Sequence, residues 1–355
     1  MGNESELFHT HQGPINLNSQ GEVVGIDYPH DLFNDYGFVV RARADTGEDI
    51  HLWMFMYRQR GREVIQDNDV MQTLCVHGKF GDTDVGMKDL PYINEGQNFD
   101  DYNKPGTIQI QSTDKEAVWA CKDRTFTCRP PFWYIKGEHA GVTVDLEFRQ
   151  RGDAFYHCGL FENLKDDAGL AGYVVHARVK GTISIKGGST LNISNGHGTQ
   201  ERIILAKNIP PRLDYMKGGG QNWLHGWGDK LSWYILTGDI GSHSTFMLNV
   251  GDKTYTATGS ATYQEIGRWL DPLTNQINPC KWRVVAQTSA GQLEAIVTGH
   301  SRAYYTWTRA SGTVLVHQFL CKAEAKFTAK DGEVTEESQV ASLEYMRTLY
   351  RQYSL

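Results

Sequence analysis

The sequence predicts an all-β protein built from antiparallel sandwiches or barrels. Three observations carry that prediction. The 355 residues include 37 Gly and 40 aromatics (9 Trp, 17 Tyr and 14 Phe) against only 10 Pro, a composition of many turns and many strand-forming rings. Apolar and polar residues alternate with a period of two along most of the chain. Turn dipeptides punctuate these runs at a spacing of about 8–12 residues, as in antiparallel sandwiches and barrels.

The elements follow in chain order. Phe38 to Ala44 (FVVRARA) and Ile50 to Arg58 (IHLWMFMYR) read as an early pair of strands. Val142 to Gln150 (VTVDLEFRQ) alternates strictly, as a half-buried strand should. Later runs such as YVVHARVKGTISI, KLSWYILTG, KWRVVAQT and VLVHQFLCKAEAKF repeat the pattern. Gly187-Gly188, Gly251-Asp252, Ala290-Gly291, Ser311-Gly312 and Asp331-Gly332 supply the turns between them. Only the end, SLEYMRTLYRQY, spaces Leu343, Met346 and Leu349 as a helix would, so a short C-terminal helix is expected. Two long irregular stretches, Asp82 to Gly106 and Ile209 to Asn222, are candidate lids or rims of a site. The length suggests two domains. The boundary is placed after the FENLKDDAGLAG turn, giving domains 1–165 and 166–355, both β-meanders of similar size.

Composition also excludes function classes. Lys plus Arg is 35 and Asp plus Glu is 42, a net charge of −7. No basic excess exists to neutralise phosphates, so no nucleic-acid partner is expected. No apolar run reaches the roughly 20 residues that span a bilayer, so no membrane insertion is expected. The polar N-terminus MGNESELFHTHQG lacks the features of a signal peptide. Six cysteines without a CxxC read as buried free thiols, which points to the cytoplasm. No nucleophile elbow, P-loop or HExxH zinc motif is present.

Three segments mix carboxylates, His or Arg with large rings: Ile26 to Val40, Ser194 to Ile203, and Asn222 to Ile235. A carboxyl among apolar rings has its pKa raised by desolvation and becomes a usable acid. The same rings could equally serve as core packing, and each isolated His as an ordinary hydrogen-bonding residue.

The order of these pieces resembles the hydroxyneurosporene synthase family, also called the carotenoid 1,2-hydratase or AttH-like family. The matching pieces are Pro29-His30-Asp31 with Asn34-Asp35-Tyr36, then Val142-Thr143-Val144-Asp145-Leu146 and Tyr173 to Gly181. Gly196-His197-Gly198-Thr199-Gln200-Glu201-Arg202, Trp227 to Leu236 and Pro279-Cys280-Lys281-Trp282 complete the set. The resemblance covers roughly residues 27–330. It implies two lipocalin-like β-barrel domains packed together, with a hydrophobic ligand cavity between or within them. It implies no metal and no organic cofactor. The chain departs from the family where the middle motif usually reads Asp-His-x-Trp-Gly, since Glu201, Arg202 and Ile203 stand there.

The activity implied is that of a cofactor-independent lyase or isomerase: a hydratase, dehydratase or double-bond isomerase. The expected substrate is a hydrophobic terpenoid or aromatic small molecule. Glu201 is the expected general acid or base, with Asp35 and Asp229 as reserve carboxylates and His197 and His225 as proton shuttles. Arg202 either acts beside Glu201 or pairs with it and keeps it ionised. Trp227, Trp233 and Tyr234 are the expected cavity rings, with Tyr36, Trp53 and Tyr305 joining them. A pericyclase or cyclase, needing a shaped pocket more than a titrating group, is the alternative. A lipophile carrier without chemistry is a third possibility.

Overall fold

The computed structural model describes residues 10–22, 31–61, 66–78, 98–166, 170–188, 190–206, 220–238, 244–259, 261–271, 275–309 and 312–351. Within them the chain is antiparallel β throughout, apart from 3-10 turns at Leu17–Ser19 and Phe161–Asp166. The first strands are β1 (His11–Gly13), β2 (Asp31–Arg43), β3 (Asp49–Gly61), β4 (Asn68–Gly78), β5 (Asn98–Asn103) and β6 (Gln109–Ser112). They are followed by β7 (Ala117–Cys121), β8 (Arg124–Arg129), β9 (Phe132–His139), β10 (Val142–Tyr156), β11 (Leu170–Ile185) and β12 (Thr190–Ala206). The later strands are β13 (Gly220–Trp227), β14 (Leu231–Gly238), β15 (Ser244–Val250), β16 (Lys253–Thr256) and β17 (Thr262–Leu270). The last four are β18 (Ile277–Gln287), β19 (Gly291–Arg309), β20 (Gly312–Ala329) and β21 (Val334–Arg351).

The chain divides into two units, each built on one curled sheet. The first sheet runs β5-β4-β3-β2-β12-β11-β10-β9-β8-β7-β6, with β1 added beside β10. Its two edges, β5 and β6, are joined by the short link Lys104–Ile108, so the sheet curls until its edges meet. Buried Asp69 pins that link, its Oδ2 accepting the Gly106 and Ile108 N–H groups at 2.9 Å each. The second sheet runs β16-β15-β14-β13-β21-β20-β19-β18-β17. An isolated bridge joins Ala257, just past the edge strand β16, to Thr288, just past β18. Both sheets share one plan: the first long strand pairs with the last (β2 with β12, β13 with β21), and hairpins run outward on either side. These are two lipocalin-like barrel units, as the family resemblance implies.

The first unit extends beyond the expected boundary at 165/166. Strand β11 pairs with β10 on one side and with β12 on the other, which carries the first sheet to Ala206. The expected C-terminal helix is instead part of β21. That segment has a ladder partner at each edge, β20 and β13. Ala341 to Met346 are buried on both faces, which removes the alternation that would have marked a strand. Leu343 and Met346 are buried there, but Leu349 is 49% exposed.

The period-two readings are otherwise borne out. In β10, Val142, Val144 and Leu146 are buried, while Thr143 and Asp145 are exposed. Gly187-Gly188, Gly251-Asp252 and Asp331-Gly332 lie in links between paired strands, and Ala290-Gly291 ends the β18–β19 link and opens β19. Of the long irregular stretches, Asn98–Asn103 is strand β5, and residues 79–97 and 207–219 lie outside the described residues. Pro29 and His30 lie outside them as well. All six cysteines are free, and five are buried. No helix among the described residues is long and apolar enough to cross a membrane.

Candidate active site

The candidate site lies at the seam where β2 meets β12. Tyr36, Phe38 and Val40 belong to the first unit's core, so the alternation of β2 turns Asp35, Gly37 and Val39 to the opposite face. The β2–β12 ladder skips two steps, between Glu201↔Gly37 and Ile204↔Asn34. Side chains satisfy the backbone groups there. The Ile203 N–H donates to Asp35 Oδ1 at 2.6 Å, and Arg202 Nη1 donates to the Asp35 carbonyl at 2.8 Å.

Asp35 is 4% exposed. Burial pushes its pKa from 3.8 up to about 7, against the opposing pull of the Ile203 N–H and the Arg202 charge. Glu201, also buried, is opposite Gly37 on the neighbouring strand and shares the Asp35 face. The Cys158 thiol feels both carboxylates. Its pKa is driven well above the usual value, first by burial and then by Glu201 and Asp35. His176 pairs with Thr199 on this face, and burial, Arg151 and His197 hold it neutral, with a pKa well below the usual imidazole value.

Rings roof the carboxylates. Phe55 pairs with Gly37, and its ring lies where a Gly37 side chain would be, 1.8 Å from an ideal Cβ. Trp53 stacks on Phe55 with centroids 4.5 Å apart. Tyr57 pairs with Asp35. The arrangement is a protonatable carboxyl beside a second carboxyl under an aromatic cover, which suits proton transfer to and from a carbon skeleton.

Arg202 does not share this face. It points into the barrel, fully buried, 4.7 Å above the Trp119 ring. Its donors go to the Ser19 carbonyl (2.9 Å), the Gly21 carbonyl (3.0 Å), Asn34 Oδ1 (2.5 Å) and the Asp35 carbonyl. Successive residues of a strand face opposite ways, so the expected pairing with Glu201 gives way to a clamp on the segment before β2. Tyr36 shares the lumen, donating to Gln20 Oε1 at 2.7 Å and stacking on Trp119. It is core rather than cavity wall.

The other sequence-selected residues divide between the units. His197 is half-buried, with Nδ1 3.2 Å from Arg178 Nη1. It lies four residues, about 13 Å of strand, from Glu201. In the second unit, His225 is fully buried between Trp223 (4.1 Å) and Trp227 (4.9 Å, parallel), with Tyr234 also at 4.9 Å. Trp233 faces the opposite way into that unit's core, donating to Gln339 Oε1 at 2.8 Å above Gly226. Asp229 is exposed in the β13–β14 turn, where its N–H donates to Glu337 at 2.6 Å, so it lacks the burial a raised acid needs. Tyr305 is half-buried against Val314, Val316 and Met346.

Sequence reading missed Cys158 and His176, which carry no motif, and Phe55, whose partner Gly37 was the one local signal. Among the described residues, no three His, Cys, Asp or Glu side chains converge as metal ligands would.

The fold has known counterparts. A candidate AttH from Nitrosomonas europaea matches with a TM-score of 0.58, over 93% of this chain and 97% of its own, at 13% identity. The fold is the AttH-like one. CghA with Sch210972 matches with a TM-score of 0.56, over 98% of this chain and 100% of its own, at 9% identity. CghA solved by itself gives a TM-score of 0.54 at 10% identity. No family model matches the sequence, and no curated protein matches it. At such identities the likeness is one of fold.

Proposed function

We propose that the chain is a cofactor-independent lyase or isomerase acting by proton transfer on a hydrophobic small molecule. Asp35 is the general acid and Glu201 the base. The reading rests on Asp35: a buried carboxyl with a pKa of about 7, facing the same way as a second buried carboxyl. CghA, whose fold this chain shares, has been solved together with Sch210972, which supports the same fold holding a small molecule here.

Protonated Asp35 donates to a substrate double bond. A C–H bond forms, the π bond breaks, and a carbocation remains. The faces of Trp53, Phe55 and Tyr57 stabilise it. Glu201 then removes a proton. Taken from a neighbouring carbon, it shifts the double bond; taken from an attacking water, it completes hydration. Dehydration is the reverse course.

The test is turnover on a panel of terpenoid and aromatic alkenes in deuterated water. Asp35→Asn and Glu201→Gln should each lower kcat by about 10²–10⁴ with ligand affinity retained. Solvent deuterium should enter the product, and the rate should fall above about pH 7 as Asp35 loses its proton. Near-native turnover by either variant would remove that residue from its role. Product without solvent label would favour a pericyclase. Tight binding with no product would make the chain a carrier.

A further inference from the structure

We propose that the first barrel binds a small monovalent anion, a halide or a carboxylate, on the Arg124 guanidinium. Arg124 opens β8, whose buried residues Arg124, Phe126 and Cys128 alternate along the lumen side. Phe126 packs against Tyr36 and Phe38, near the Arg202 network. Arg124 lies four residues from Cys128, about 13 Å along the strand and toward the other end of the barrel.

Three other buried arginines, Arg41, Arg302 and Arg202, show what this one lacks. Arg41 is neutralised by Asp49, and Arg302 by Asp271. Arg202 spends its donors on four oxygens and lies over aromatic rings. Arg124, only 1% exposed, makes one side-chain bond, from Nη2 to the Val142 carbonyl at 2.8 Å. Its Nε and Nη1 are buried and have no acceptor among the described residues.

Among the described residues, nearby acids do not fill the gap. The exposed Glu138 favours the Arg124 charge only through space, and its Oε1 accepts the Gly141 N–H. Asp101 is held by Lys122. His139 pairs with Val142 beside the guanidinium, and its Nδ1 lies 2.8 Å from Thr73 Oγ1. Burial first, and then the Arg124 charge, bring His139 down to about 4, so it is neutral at pH 7.

The site therefore carries a positive charge inside the barrel that no carboxylate among the described residues meets by a hydrogen bond. A buried, unpaired ion costs several kcal/mol, and a bound counter-ion removes most of that cost. A single charge calls for a monovalent anion. The ion must also be small, because the core cluster that includes Cys121, Phe126, Val142 and Val144 fills this barrel. Guanidinium binds carboxylates and halides through charge-assisted N–H bonds of the kind Nε and Nη1 offer.

The experiment melts the whole chain at constant ionic strength while sodium bromide or sodium formate replaces sodium methanesulfonate, a bulkier monovalent salt. The wild type should show a saturable rise in Tm with bromide, formate or both. Arg124→Met should lose that rise while melting no lower than the wild type in methanesulfonate. Crystals of the wild type soaked in bromide should show an anomalous peak within hydrogen-bonding distance of Arg124, which tests the site even if the variant does not fold. A wild-type Tm indifferent to both anions, or an Arg124→Met protein with the full response, would each overturn the proposal, as would a bromide-dependent Tm with no bromide at Arg124.

Discussion

Asp35 offers a sharp test of the seam, because its protonation state must be written into stability as well as chemistry. Its folded pKa is about 7 against an ordinary value of 3.8. Below pH 3.8 the carboxyl is protonated whether the chain is folded or not, and it contributes no penalty. Between pH 4 and 7 the unfolded chain gives up the proton while the folded chain keeps it, so stability falls as pH rises. Above pH 7 the loss is complete. From 3.8 to about 7, at about 1.4 kcal/mol per pH unit, the loss amounts to about 4 kcal/mol. Asp35→Asn keeps an oxygen for the Ile203 N–H and removes the titration. Its stability relative to wild type should therefore rise with pH, by several kcal/mol between pH 4.5 and pH 8, and then level off. Urea denaturation of both proteins across that range measures the difference, with contributions from all other groups cancelling. A difference that does not change with pH would refute the reasoning, since Asp35 would then be ionised in the folded chain as it is in the unfolded one.

Two further perturbations probe the frame. Gly37→Ala sets a methyl group 1.8 Å from a Phe55 ring carbon, so the ring must swing away from the carboxylates. The variant should lose about 1–3 kcal/mol in denaturation, and an unchanged midpoint would mean that Phe55 is not seated there. In the second unit, buried His317 has its pKa lowered from 6.5 to about 4, chiefly by burial and then by Arg302. A depressed imidazole costs stability as pH falls from 6.5 to 4, here about 3 kcal/mol. His317→Gln should melt less steeply with acid over that window than the wild type, and parallel pH–Tm curves would show that His317 is not the buried neutral group described.

Much of the architecture was legible because its signals are local. Val142 to Leu146 alternates in sequence as it does in burial. Glycine pairs such as Gly187-Gly188 sit between strands that pair directly. The C-terminal helix was misread for a physical reason. Strand β21 is covered on both faces over Ala341 to Met346, and a strand without alternation can mimic helical spacing. The domain boundary was placed at a turn signal, but β10 and β11 on either side of that turn pair across most of their length.

The candidate site was legible only in its cast. Asp35, Glu201 and Arg202 all belong to the seam, yet adjacent residues of β12 take opposite faces. Arg202 became a lumen clamp and Glu201 its neighbour on the outer face. Of the expected rings Trp227, Trp233 and Tyr234, the first and last gather with Trp223 around His225, while Trp233 turns into the core. No feature of the sequence ranks Asp35 above Asp229. The first is buried at a strand seam and the second exposed in a turn.

Composition, period two and turn chemistry were thus enough for an all-β chain of antiparallel sandwiches or barrels, because each depends on residues within a few positions of one another, whereas the pair of lipocalin-like barrels came from the family resemblance. Which carboxyl carries a proton at neutral pH is a different kind of fact. It depends on the burial of Asp35 where β2 meets β12, which outweighs the opposing pull of the Ile203 N–H, 168 residues away, and of the Arg202 charge. Desolvation and strand facing arise only when distant strands pair, so they appear in the folded chain and nowhere in a local stretch of it.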